Sequence, residues 1–223
     1  GLFANGALAG RRVVITAGPT REALDPVRYL SNHSSGKMGY ALAAAAVDAG
    51  AQVTLVSGPV QLATPEHAER VDVVSAAEML DACLARVTDC DLFIACAAVA
   101  DYRPATAAAG KIKKDAEHLI LELERTTDIL ASVSRHAQAP FTVGFAAETH
   151  DVEQYARGKL ERKKLDMIVA NDVSDTAIGF NSDQNAVTVF WQQGSCALPQ
   201  ASKSTIAREL IALIAQRMEA ADG

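Results

Sequence analysis

Apolar runs of strand length alternate with segments of helical periodicity along almost the whole chain. From the amino terminus the pattern predicts strand 12–17, helix 38–49, strand 52–57, strand 71–74, helix 76–87 and strand 91–98. It continues with strand 119–124, helix 127–137, strand 141–146, helix 151–163 and strand 166–170. A last helix, 203–219, places Ile206, Leu210, Leu213, Ile214 and Met218 on one face, a stripe that needs a sheet to cover it. Strand-helix-strand order repeated in this way implies right-handed crossovers and a parallel sheet. The runs 13–17 and 92–98 are nearly all apolar, as expected of strands covered on both faces by helices. The expected fold class is α/β, a Rossmann-like parallel sheet with helices on both faces.

The pattern changes near the carboxyl terminus. Residues 172–185 are rich in Asp, Asn, Ser and Gly, and 186–191 (Ala-Val-Thr-Val-Phe-Trp) reads as one arm of a hairpin. A small β subdomain or dimerisation arm is therefore expected at about 172–200. The small-residue stretch 1–10 reads as a linker remnant, leaving 11–223 as the working domain.

Composition narrows the function classes. A chain of 223 residues is long enough for one α/β domain with its own core. A net charge of −6 and a pI near 5.4 argue against nucleic acid as a partner, which calls for a basic face. Cys83, Cys90, Cys96 and Cys196 show no paired metal spacing, and His33, His67, His118, His136 and His150 include no His-Glu-x-x-His, which argues against structural zinc. No apolar run reaches the ~18 residues of a membrane span, and the start lacks the basic region of a secretory signal. A cytoplasmic protein without a membrane partner is expected.

The richest chemistry lies in residues 29–39, Tyr-Leu-Ser-Asn-His-Ser-Ser-Gly-Lys-Met-Gly, just ahead of an alanine-rich helix. Backbone N–H groups freed at a helix start, with the positive end of the helix dipole, favour an anion, and glycines let a phosphate approach the main chain. Capping the helix needs one Ser or Thr, whereas this segment offers Ser31, Asn32, His33, Ser34 and Ser35 in a row. The phosphate loop of nucleotide hydrolases does not match, because Met38 follows Lys37 and Ser31 stands where a Gly is required. The dinucleotide fingerprint also fails, since the first strand runs into Ala17-Gly18-Pro19-Thr20, which disfavours an NAD(P) reductase.

Further polar clusters follow where strands are expected to end. Residues 96–104 (Cys-Ala-Ala-Val-Ala-Asp-Tyr-Arg-Pro) combine small residues with one acid, Asp101. The stretch 105–110 leads to Lys111-Ile112-Lys113-Lys114. Three ammonium groups in four residues ordinarily mark a solvated face, but a flexible basic loop on the ligand side of the sheet is also suited to closing over phosphates, where charge-assisted bonds are strong. The segment 144–149 (Gly-Phe-Ala-Ala-Glu-Thr) precedes Lys159 and Lys163, which are four apart on the next helix and share a face.

Taken in order, the segments 31–39, 97–103, 111–114, 144–149 and Ala170-Asn171-Asp172 closely resemble the phosphopantothenate-cysteine ligase (phosphopantothenoylcysteine synthetase) family. The likeness covers nearly residues 10–218 and is to the bacterial CTP-dependent form, the C-terminal domain of a bifunctional coenzyme A biosynthesis flavoprotein. It implies a ligase joining 4′-phosphopantothenate to L-cysteine through an acyl-cytidylate, with CTP as co-substrate, Mg2+, and release of CMP and pyrophosphate. It assigns catalysis to Asn32 and Lys111. Phosphopantothenate binding falls to Arg28, Asn32, Ala97 and Ala98, and nucleotide binding to Asp101, Lys111, Thr126, Thr127, Asp128, Ile129, Phe145, Lys159 and Lys163. Thr126-Thr127 stands where the family often has Asn-Pro. Metal ligands are not assigned. The resemblance further implies a homodimer, fusion to a flavin-dependent phosphopantothenoylcysteine decarboxylase domain, and no flavin in this fragment. The alternative is a non-catalytic nucleotide-binding Rossmann-like module, which explains the anion loops but gives Asn32, Arg28 and Lys111 no shared purpose.

Overall fold

The computed structural model describes residues 6–108, 110–113, 117–172 and 183–223. Lys114 and most of the polar stretch 172–185 lie outside the described residues, as do residues 1–5. The first half of the chain runs β1 (Arg12–Ala17), β2 (Arg21–Ala23), β3 (Tyr29–Ser31), α1 (Lys37–Asp48), β4 (Gln52–Ser57), β5 (Glu69–Asp72), α2 (Ala76–Leu84) and β6 (Leu92–Ala95). The second half runs β7 (Tyr102–Pro104), β8 (Leu123–Arg125), α3 (Ile129–Ser134), β9 (Phe141–Glu148), α4 (Val152–Arg162), β10 (Met167–Asp172), β11 (Gln184–Trp191), β12 (Gly194–Ser202) and α5 (Lys203–Asp222).

The main sheet is eight-stranded, in the order β12-β11-β10-β9-β6-β1-β4-β5. Strands from β10 to β5 are parallel, while β11 and β12 add an antiparallel hairpin at one edge. The expected C-terminal β element is this hairpin, and it is continuous with the sheet.

Strand parity distributes the core. Val13 and Ile15 of β1 pack with α1 and α5, while Val14 between them joins Phe93, Met79 and Val133 on the face covered by α2 and α3. At the other end of that second face, Ile168, Ala170 and Phe190 pack with Ala156 and Leu160 of α4. Helix α5 buries Ile206, Leu210, Ile211, Ile214 and Met218, each worth about 2 kcal/mol relative to exposure. Leu8, in the stretch that reads as a linker, is also buried in this core, and its N–H donates to the Ala49 carbonyl (2.8 Å).

Differences from the sequence pattern have local causes. The strand expected at 91–98 stops at Ala95, because 96–100 turns away to bond the β1–β2 loop. The strand expected at 119–124 is reduced to β8, which pairs with β7 outside the main sheet, and Ile120 is 92% exposed. Its alternating apolar residues therefore face solvent rather than a core. The strand expected at 71–74 is shifted to Glu69–Asp72, and helix 127–137 contracts to α3 behind its Asp128 cap. The helix expected at 76–87 ends at Leu84, followed by a 3-10 turn at Val87–Asp89.

One topological fact positions the site. The chain moves from β1 outward to β4 and β5, then crosses back to β6 on the other side of β1. Connections diverge there, and the crevice at the carboxyl ends of β1 and β6 is where open α/β sheets bind ligands.

Candidate active site

Residues 32–36 lead from β3 into α1, whose start is shaped by two glycines. Gly36 has φ 78°, a left-handed conformation that other residues adopt at a cost. A Cβ on Gly39 would stand 2.5 Å from the Ala17 side chain, so only glycine lets the helix start lie this close to the end of β1. No side chain caps α1. Instead Ser34 Oγ accepts from the Gly36 N–H (3.2 Å) and Ser35 Oγ from the Lys37 N–H (3.3 Å), which shapes the approach to the helix. This is the geometry in which a helix start receives an anion.

The small-residue turn after β6 is welded to the β1–β2 connection. The Ala97 N–H donates to Thr16 Oγ1 (3.2 Å), the Ala98 N–H to the Gly18 carbonyl (2.9 Å) and the Ala100 N–H to Thr20 Oγ1 (2.9 Å). Both threonines are buried. Asn32 is fixed from the same turn, its Nδ2 donating to the Val99 carbonyl (3.2 Å), and among the described residues no other bond engages its side-chain amide. Thr126 donates its hydroxyl to the Ala100 carbonyl (2.6 Å) and its N–H to the Asp101 carbonyl (2.9 Å), so this threonine serves the scaffold.

Two cavities open side by side over these loops. The first, about 530 Å³, is lined by Gly18, residues 32–39, Cys96, Ala97, Ala98, Val99, Asp101, Phe145, Ala146, Ala147, Lys159, Asn171, Asn185 and Lys203. The second, about 440 Å³, is lined by Tyr102, Arg125, Thr126, Thr127, Asp128, Ile129, Leu130 and Lys163 among others. Ala97, Val99, Asp101, Phe145 and Lys159 belong to both and form a common wall. The structure therefore gathers Asn32, Ala97, Ala98, Asp101, Phe145 and Lys159 in one cavity, and Thr126, Thr127, Asp128, Ile129 and Lys163 in its neighbour. Arg28 and Lys111 line neither cavity. A larger groove, about 680 Å³, lies at the opposite ends of β1 and β4 among Arg12, His67, Glu69 and Arg86, and holds none of the expected site residues.

Lys159 of α4 and Lys163 just after it are each held by a carboxylate. Lys159 pairs with Glu148 (3.1 Å) and Lys163 with Asp128 (3.0 Å). Asp128 also caps α3 by accepting the Ala131 N–H (3.0 Å). Burial would raise the Asp128 carboxyl, but that N–H and the Lys163 ammonium outweigh it and hold it below the usual range. Lys159 thus stands paired on the wall between the two cavities, and Lys163 stands paired in the second.

The first cavity carries its own cations. Lys37 pairs with Asp183 (2.7 Å), and Lys203 is 7% exposed, its ammonium pushed down by burial and by Lys37. Cys96 lines the same wall, but burial pushes its thiol up to about 12, so it is not a nucleophile at neutral pH. Asn171 Oδ1 is buried and accepts no hydrogen bond among the described residues. Such an acceptor calls for a donor. Among the described residues no group of His, Cys, Asp and Glu is placed to cage a metal ion, and no helix is long and apolar enough to cross a membrane.

Sequence reasoning passed over Lys203 and Asn185, and it placed Glu22 and Asp25 in the polar cluster after the first strand without giving either a role. A lysine in the first turn of α5, where the helix dipole disfavours a cation, was a legible anomaly. Glu22 is buried, and its carboxylate accepts the Ala76 N–H at the start of α2 (3.2 Å). Burial raises its carboxyl, with the Ala76 N–H pulling the other way. Asp25 is buried at the turn between β2 and β3 and binds both Arg28 and Ile112.

Comparison with known proteins agrees with this architecture. The family model described as DNA/pantothenate metabolism flavoprotein C-terminal domain matches residues 8–218. The coenzyme A biosynthesis bifunctional protein CoaBC of Vibrio vulnificus strain CMCP6 is 58% identical over 207 residues, 92% of this chain and 52% of that protein. The Escherichia coli K12 protein of the same name is 54% identical over 211 residues, 93% of this chain and 52% of its own length. The chain thus spans about half the length of these curated relatives. A crystal structure of the C-terminal domain of CoaBC superposes with a TM-score of 0.83 at 44% identity, covering 96% of this chain and 98% of that one. The DNA/pantothenate metabolism flavoprotein from Streptococcus pneumoniae gives 0.78 at 26% identity, covering 92% and 97%. The chain belongs to the DNA/pantothenate metabolism flavoprotein C-terminal domain family.

Proposed function

We propose that the chain is a CTP-dependent phosphopantothenate-cysteine ligase of coenzyme A biosynthesis. One observation carries the reading: the cavity holding Asn32 and the anion loop shares a wall with the cavity holding Thr126–Ile129 and Lys163. An acyl substrate in the first and a nucleotide in the second would meet across Ala97, Asp101, Phe145 and Lys159. The relatives named for coenzyme A biosynthesis support the pathway.

The chemistry follows from the groups. A carboxylate is a poor electrophile, so the phosphopantothenate carboxylate attacks the α-phosphate of CTP and pyrophosphate leaves. The amine of cysteine then attacks the acyl carbon, and CMP departs with the electron pair of the broken acyl bond. Lys159 and Lys163 exchange Glu148 and Asp128 for the phosphates, stabilising charge as it moves to the leaving group. Asn32, already oriented by Val99, offers its free N–H to the oxyanion formed during cysteine attack. Mg2+ suits a triphosphate that brings its own oxygen ligands, since that ion keeps waters and needs few side chains. On the same reading the chain acts as a homodimer in the cytoplasm, and flavin chemistry belongs to a decarboxylase domain fused to it in the full-length protein.

The test follows the label of α-32P CTP in the presence of phosphopantothenate and magnesium. Without cysteine the label should move into an acyl-cytidylate held by the protein, and cysteine should chase it to CMP. Label that stays in CTP, although CTP binds, favours a non-catalytic nucleotide-binding module.

A further inference from the structure

Asp25 lies at the turn between β2 and β3, far in sequence from the basic loop, yet it is the point at which that loop is fastened. Its carboxylate is fully buried. Oδ1 accepts the N–H groups of Val27 (2.9 Å) and Arg28 (2.8 Å), and Oδ2 accepts Arg28 Nε (3.0 Å) and the Ile112 N–H (3.0 Å). The Arg28 guanidinium in turn donates to the Ile112 carbonyl. Both backbone polar groups of Ile112 are thus taken by one acid-base pair on the hairpin. Ile112 is half-buried, while Lys111 and Lys113 on either side are exposed.

Apolar packing does not hold this segment. Among the described residues of 105–113 none is buried. The other tie to the same turn is the Ala108 N–H, which donates to the Leu24 carbonyl (2.9 Å). The hairpin itself is firmly based: Glu22 binds the start of α2, the Arg21 N–H donates to the Val74 carbonyl (2.7 Å), and the Arg21 guanidinium stacks on Tyr29 (4.6 Å). Rigidity therefore passes from the body of the protein through the hairpin to a loop that has no core of its own.

We infer that Asp25 is a positioning residue that joins Arg28 and the Lys111 segment into one unit and sets the direction in which Lys111 is presented to the nucleotide. The inference rests on the ligase reading for its activity readout, because the family resemblance makes Lys111 a nucleotide contact, and from outside both cavities Lys111 has to be aimed at one. Positional error of about 1 Å in such a group is enough to cost roughly a hundredfold in rate. Neutralising the carboxylate replaces an acceptor by an amide that cannot receive all these donors, so the loop should loosen while the body stays folded.

The experiment compares wild type, Asp25→Asn, Lys111→Gln and the double variant in phosphopantothenate-dependent pyrophosphate release. Asp25→Asn should lower kcat/KM for CTP by roughly tenfold to a hundredfold. The same change in the Lys111→Gln background should cost less than about threefold, because there is no lysine left to position. Equal losses in both backgrounds would overturn the inference, as a purely structural role multiplies through. Ile112→Pro, which takes away the loop N–H that Asp25 accepts and also fixes the backbone there, should reproduce the CTP defect without raising KM for phosphopantothenate; a normal CTP response there also overturns it. If wild type releases no pyrophosphate, the ligase reading fails, and amide exchange decides this inference alone. Ile112 should be protected in wild type and fast in Asp25→Asn; equal exchange in the two would reject the clamp.

Discussion

The cavity around Asn32 and the hairpin tip of Arg28, with the Lys111 loop fastened to it, both present polar groups, but they are held in different ways. Asn32 is fixed from a turn bonded to buried Thr16 and Thr20, and the α1 start is set against β1 by Gly39. Arg28 and Lys111 depend on one buried carboxylate, and the described residues of 105–113 around Lys111 bury nothing. The first arrangement is part of the fold and should persist as long as the sheet does. The second can be lost without unfolding anything, which makes the tip the natural place for adjustment between empty and filled states.

Substitutions on the two sides should break this comparison in distinct ways. The largest effect is expected from Asn32→Asp: adduct formation survives while transfer to cysteine falls roughly a hundredfold or more, as when an oxyanion donor is lost. Rapid-quench detection of accumulated acyl-cytidylate checks it, and efficient product formation would sink the role of the amide. Next comes Lys159→Met, at the shared wall, which should reduce kcat/KM for CTP by about a hundredfold, with Lys163→Met nearer tenfold because it touches the second cavity alone. Steady-state kinetics with varied CTP ranks the two, and the reverse order would contradict the shared-wall geometry.

Lys203→Met should act more gently, raising KM for phosphopantothenate by roughly threefold to tenfold and leaving KM for CTP alone. Its Tm should change little, since relief of the buried cation is offset by loss of the hydrogen bond from Lys203 to the Gln184 carbonyl (3.4 Å). A marked fall in Tm would show that Lys203 is structural. The smallest effect concerns pH at the hairpin tip. Burial would raise the Asp25 carboxyl, but the N–H groups of Ile112, Val27 and Arg28 outweigh it and hold it below its ordinary value. Its stabilisation is therefore complete above about pH 4 and is lost as the pH falls through the lower folded value. Amide exchange in 105–113, corrected for intrinsic acid dependence, should rise below that pH in wild type and show no such step in Asp25→Asn.

The parallel core strands were legible because burial on both faces leaves long apolar runs. β1, β4 and β10 begin where the sequence places them or one residue away. β2, β3 and β7 were missed because three residues are too few for a period to show. The Leu-Glu-Leu-Glu alternation at 121–124 misled for the opposite reason: it has the period of a half-buried strand, yet Leu121 and Leu123 are exposed. The basic run at 111–114 could be read locally and Arg28 was singled out by the resemblance, but where the fold puts Arg28 and Lys111 could not be read. That placement depends on a hydrogen bond between Asp25 and Ile112, 87 residues apart, and no local pattern encodes which loop a lone aspartate will hold.

The central claim is that two adjoining cavities activate a carboxylate with a nucleotide and pass it to an amine. Its most direct test is pyrophosphate release with phosphopantothenate and magnesium, comparing CTP with ATP, with and without L-cysteine. The account predicts release that prefers CTP and, with cysteine, yields stoichiometric phosphopantothenoylcysteine and CMP. Nucleotide binding without release, or release that never produces the cysteine adduct, would contradict it.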